Sequence, residues 1–158
     1  MSILPKASAP ISPRTKDAPM IGLAYAGIVT IFAVAQLFSF DKLPNIFDSF
    51  WMPGGVGFAH FLVALLVIVE VFSLPFLLRI RVSLAMRFFS MLCGWLVAGI
   101  WLYVSLWLAV STNAIDNIGM LGTIVKLIPG WWAVLVSLGL GVLAAWSSWG
   151  MWPLNTRK

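Results

Sequence analysis

One cysteine, Cys93, is too few for a disulfide framework or for dithiol chemistry within the chain. One histidine, His60, cannot supply two axial haem ligands, and no cluster of His, Cys and carboxylates has metal-ligand spacing. Charge is equally scarce: Asp, Glu, Lys and Arg make up 9% of 158 residues, against roughly 25% in a soluble domain. A phosphate-cradling glycine loop and a Ser–His–Asp set are both missing, and no soluble domain is left over to house a catalytic pocket. No self-contained catalytic constellation is therefore expected. What is abundant is apolar: 61% of residues are hydrophobic and mean hydropathy is +1.01. An integral membrane protein follows, in contact with the lipid bilayer over most of its length.

A spanning helix needs about 20 apolar residues to cross a ~30 Å hydrocarbon layer. Four segments meet that length, at about 20–40, 55–78, 84–110 and 130–152. Lipid offers no partner to backbone N–H and C=O groups, so each must be helical. The expected fold is all-α: an integral membrane four-helix antiparallel bundle, spanning 20–152. Residues 1–19, rich in Pro, Ser and Ala, read as a flexible tail, and 153–158 as a second short tail. Ala33-Val34-Ala35 resembles a signal-peptidase site, but the apolar run continues to Phe40 and suits a retained span.

Positive charge sets the orientation. Lys6, Arg14, Lys16, Arg79, Arg81, Arg87, Arg157 and Lys158 fall on one side of an even-span bundle; only Lys42 and Lys126 fall on the other. By the positive-inside rule both termini are expected to be cytoplasmic. The net charge of +5 is thus a topology signal, with some attraction to anionic headgroups. No basic surface of useful size lies outside the membrane, which argues against a nucleic-acid partner.

The connections are informative. In 41–53, Leu43, Ile46, Phe47, Phe50 and Trp51 recur at helical spacing, and Pro44 suits a first helical turn. A short interfacial helix with its apolar stripe down is expected there. In 111–129, Ile115, Ile118, Leu121, Val125 and Ile128 nearly trace a second stripe, with Asn113, Asp116 and Asn117 keeping its start wet; a plain interfacial loop is the other reading. Small residues are placed for close packing: Gly22, Ala26 and Ala33; Ser90, Gly94, Ala98 and Ser105; Ser137, Gly141, Ala144 and Ser148. Trp51, Trp131 and Trp132 would mark one membrane boundary and Trp149 and Trp152 the other, while Trp95, Trp101 and Trp107 read as packing residues.

Glu70 is the most informative residue. It lies about eight residues from the end of the second span, roughly 12 Å deep at 1.5 Å per residue. An acid at that depth costs several kcal/mol unless neutral, hydrated or paired. Arg87, one turn into the third span, is the expected partner, its long side chain reaching toward the midplane. Two readings of the Glu70–Arg87 pair compete: a register-fixing polar pair, and a ligand- or proton-handling pocket. Gln36, His60, Ser73 and Ser90 are secondary polar candidates. Pro75 frees the Val71 carbonyl beside Glu70 and offers room for a small polar cavity.

The order of elements, with Phe38-Ser39-Phe40-Asp41-Lys42, Val69-Glu70-Val71-Phe72-Ser73-Leu74-Pro75 and Leu84-Ala85-Met86-Arg87, resembles the DoxX/MauE-like family of small bacterial four-span membrane proteins. The resemblance covers roughly residues 20–150. It implies a bacterial inner-membrane location and an accessory or partner-binding subunit of a membrane redox or quinone-linked system. It also implies a quinone or lipid as bound molecule and a membrane redox protein, or a second copy of the chain, as partner. The family's thiol chemistry does not carry over to a chain with one cysteine. Two other readings stand beside it: a small proton-coupled transporter using Glu70, which would have to dimerise, and a purely structural membrane subunit.

Overall fold

A computed structural model describes residues 12–111 and 115–154. Among them are five helices: α1 (Ala18–Phe38), α2 (Leu43–Asp48), α3 (Gly55–Leu77), α4 (Leu84–Val110) and α5 (Trp131–Gly150). All but α2 are long and apolar enough to cross a membrane. Local chemistry sets their starts. Pro19 and Pro44 occupy the first turns of α1 and α2, where a missing N–H costs nothing. Ser83 caps α4, its hydroxyl accepting the Met86 N–H at 3.3 Å. Lys6, Arg157 and Lys158, most of the N-terminal tail and Asn113 lie outside the described residues.

The four long helices close a ring in which α1 packs on α3, α3 on α4, α4 on α5 and α5 back on α1. Neighbours run antiparallel. The start of α1 therefore meets the ends of α3 and α5, where a Cβ on Gly22 would touch the Leu77 carbonyl at 3.4 Å and crowd Met151. The two ends of the bundle differ. The terminal end carries the start of α1, the end of α5 and the turn between α3 and α4. The loop end carries α2 and the α4–α5 connection.

Small residues make the expected seams on α1 and α4, where Gly22, Ala26, Ala33, Ser90, Gly94, Ala98 and Ser105 are all buried. On α5, Ser137, Ala144 and Ser148 are buried, but a Cβ on Gly141 would meet nothing within 4 Å. Gly141 thus lies beside the seam. Trp51, Trp131 and Trp132 are exposed at the loop end, and Trp149, with Trp152 less so, at the terminal end.

The loop-end segments differ from expectation in how they are buried. α2 forms where the periodicity places it, yet Leu43 and Phe47, with Phe50 just after it, are fully buried. Its stripe faces α3 and α4 rather than the bilayer interface, because Phe47 finds an aromatic partner in Trp101, 6.3 Å between centroids. The α4–α5 connection is not a second amphipathic helix; none forms over 115–130. It folds on itself, Ile118 N–H donating to Leu127 O at 2.8 Å. Asn117 is buried at its centre: its Oδ1 accepts from Gly119 N (3.0 Å) and Leu127 N (3.2 Å), and its Nδ2 donates to Gly122 O at 2.8 Å. One side chain that satisfies three backbone groups lets an irregular segment enter apolar surroundings. Ile118 and Met120 are carried inward with it and buried. The segment plugs the loop end.

Candidate functional site: a buried acid between three helices and a plug

The fold brings Glu70 from α3, Gln36 from the last turn of α1 and Trp101 from the middle of α4 into contact. The Glu70 side chain is fully buried. Its Oε1 accepts from Gln36 Nε2 at 3.1 Å and from the Trp101 indole N–H at 3.2 Å. Gln36 Nε2 also donates to the Met120 carbonyl of the plug at 3.3 Å. Three helices and the plug thus meet around one carboxyl group. Aromatic edges wall it: Phe32 and Phe47 both pack edge-on to Trp101, centroids 6.0 and 6.3 Å away.

Arg87 is not the partner expected for Glu70. The register of the α3–α4 seam explains why. Ser90 faces Ser73, its hydroxyl donating to Ser73 O at 3.1 Å. Glu70 lies three residues from Ser73 toward the loop end, and Arg87 three residues from Ser90 toward the terminal end. Six residues of divergence at 1.5 Å each separate the two groups by about 9 Å along the seam. Arg87 is buried instead under the C-terminal segment, Nη1 donating to Pro153 O at 3.1 Å. It fastens that segment across the terminal end, where Phe88 and Trp152 also pack edge to face.

The secondary candidates divide the same way. Gln36 belongs to the cluster. Ser73 and Ser90 form a separate polar staple one turn away. Ser73 Oγ donates to the Glu70 carbonyl at 2.7 Å, and Ser90 Oγ accepts the Phe76 N–H at 2.8 Å. Beside Pro75, the Ser90 hydroxyl thus bridges the Phe76 N–H and the Ser73 carbonyl. His60 is exposed at the loop end, Nδ1 lying 3.0 Å from the Val56 carbonyl one turn before it, and takes no part. Cys93 is buried. Among the described residues no three His, Cys, Asp or Glu gather as a metal site would need.

Sequence reasoning missed Trp101 and Met120. A signal for Trp101 exists: it falls on the same helical face as Ser90, Gly94, Ala98 and Ser105. An indole in a buried stripe of small residues needs an acceptor for its N–H, and Glu70 is the acid within reach. Met120 contributes only a carbonyl, for which its side chain gives no signal.

Near the cluster, a cleft of about 370 Å³ opens between α2 and the start of α3, lined by Phe47, Asp48, Trp51, Met52, Gly55, Val56 and Ala59. Phe47 forms part of its wall and abuts Trp101 on its other side. A chain of contacts, Phe47 to Trp101 to Glu70, therefore links the cleft to the acid.

Fold and site together define a multi-pass helical membrane protein with a polar cluster buried in its bundle. The chain matches no family model, no curated protein and no solved structure.

Proposed function

We propose that this protein is a DoxX/MauE-like accessory subunit of the bacterial inner membrane, with both termini cytoplasmic, that binds a quinone or lipid for a membrane redox system. The observation that carries this reading is the pairing of an aromatic-walled cleft with a buried acid, joined through Phe47 and Trp101. The cleft has the volume of a small-molecule site. Phe47, Trp51, Met52, Val56 and Ala59 in its lining suit a ring or an acyl chain, and Asp48 is its one charged residue. Electrons would come from a partner protein, since the chain supplies no redox side-chain pair. The protein's share is to seat the molecule, and Glu70 and Gln36 hold the wall behind it in place.

Native purification in lipid followed by mass spectrometry tests this. A quinone or a defined lipid should co-purify, and Phe47→Ala should lose it while the bundle stays folded. Recovery of the folded protein with neither ligand nor partner would overturn the reading.

A second reading has its own support. Glu70 Oε2 is buried with no hydrogen-bond partner among the described residues, an arrangement suited to taking up a proton during transport. Proton-linked uptake abolished in a normally assembled Glu70→Gln variant would select transport over the accessory role.

A further inference from the structure

Two buried acceptors in the cluster have no donor among the described residues: Glu70 Oε2 and Gln36 Oε1. The orientation of the Gln36 amide is fixed by its neighbours. Nε2 faces two acceptors, Glu70 Oε1 and Met120 O, and turning the amide over would set an oxygen against both. Both unpartnered atoms therefore belong to the same hydrogen-bonded pair of side chains. The 3.1 Å bond between those groups, with ordinary covalent geometry, keeps the two oxygens within about 8 Å of each other.

Two neighbouring donors are already committed. The Trp101 N–H is given to Glu70 Oε1, and the Tyr25 hydroxyl to the Gly94 carbonyl at 2.6 Å. A ligand offering only carbonyl oxygens would leave both atoms as they are. The need is for a small molecule with two donors, and water is the smallest.

We infer that Glu70 Oε2 and Gln36 Oε1 form an internal hydration site, bridged by one or two ordered water molecules at the level of the acid. Toward the terminal end the cluster is bounded by the Tyr25–Gly94 and Ser73–Ser90 contacts. Toward the loop end it is covered by Met120 and an irregular segment held to α1 by Gln36 Nε2–Met120 O and by the Thr123 N–H to Ser39 Oγ bond of 3.0 Å.

The test uses the full chain in lipid nanodiscs at a resolution that shows ordered solvent. One or two isolated peaks within hydrogen-bonding distance of Glu70 Oε2 or Gln36 Oε1 are expected. Direct contact between the two oxygens, with a proton shared and no peak, would overturn the inference; so would extended density from a larger ligand. Infrared difference spectra give an independent readout. Glu70→Gln can supply an N–H where Oε2 stood, so it should fold normally and shift the O–H band of the bridging water, which then accepts at residue 70 instead of donating. Gln36→Met should lose the same band. Unchanged water bands in both variants would sink the proposal, even if one of them proved unstable.

Discussion

Trp101 on α4 gives its indole N–H to Glu70 on α3 at 3.2 Å, both side chains fully buried. An aromatic residue with the sequence appearance of filler thereby supports the acid at the centre of the bundle. Trp101→Phe keeps a ring against Phe32 and Phe47 but removes the donor. Losing a hydrogen bond to a buried carboxyl group costs about 1–3 kcal/mol. A lower melting temperature in detergent is expected, with the helical circular-dichroism signal intact at low temperature. An unchanged melting temperature would show that this bond contributes nothing.

Glu70 and Arg87 stabilise different contacts, one at the midplane and one at the C-terminal segment. Their effects should therefore add. In a double-mutant cycle, Glu70→Leu and Arg87→Met should combine to within about 0.5 kcal/mol of their sum. Partial rescue of Arg87→Met by Glu70→Leu would restore the direct ion pair that the seam register argues against.

Ser90 accepts the Phe76 N–H beside Pro75 and donates to Ser73 O. Ser90→Ala leaves a buried N–H without that acceptor and should destabilise by about 1–3 kcal/mol. Ser73→Ala removes only a local bond to the Glu70 carbonyl, three residues back along α3, and should cost less. Thermal denaturation of the two variants side by side measures the order; the reverse order would contradict the staple.

Gly122 sits at φ +59°, and a Cβ there would collide with Ser39 Oγ and the Ala35 carbonyl. Left-handed backbone and close approach both demand glycine. Gly122→Ala should unseat the plug while leaving the spans in place. Faster amide exchange over 115–128, with unchanged protection in α3 and α4, is the expected result in hydrogen-exchange mass spectrometry.

The spans were legible because lipid imposes a length and a hydropathy that few sequences meet by chance; α1, α3, α4 and α5 fall within about two residues of the expected bounds. Glu70 stood out for the same reason, as an acid where acids are costly. Its partners did not. Charge complementarity favours Arg87, but the seam register outweighs it, and register depends on how Ser73 and Ser90 meet. The direction of the α2 stripe was hidden too: an apolar face reads alike whether it lies on lipid or on Trp101. The plug was least legible, since Asn117 looks like a solvated loop residue until its three backbone partners are seen.

Because Leu43, Phe47 and Phe50 find their neighbours on α3 and α4, and Met120 finds Gln36 across the bundle, neither loop-end segment has a seat until later spans have entered the bilayer. During biogenesis the first two spans would leave the ribosome with their acid uncapped. The lid over Glu70 can close only once the α4–α5 connection has been made, so a truncation at the end of α4 should yield an inserted intermediate with its acid uncovered, prey for membrane quality-control proteases.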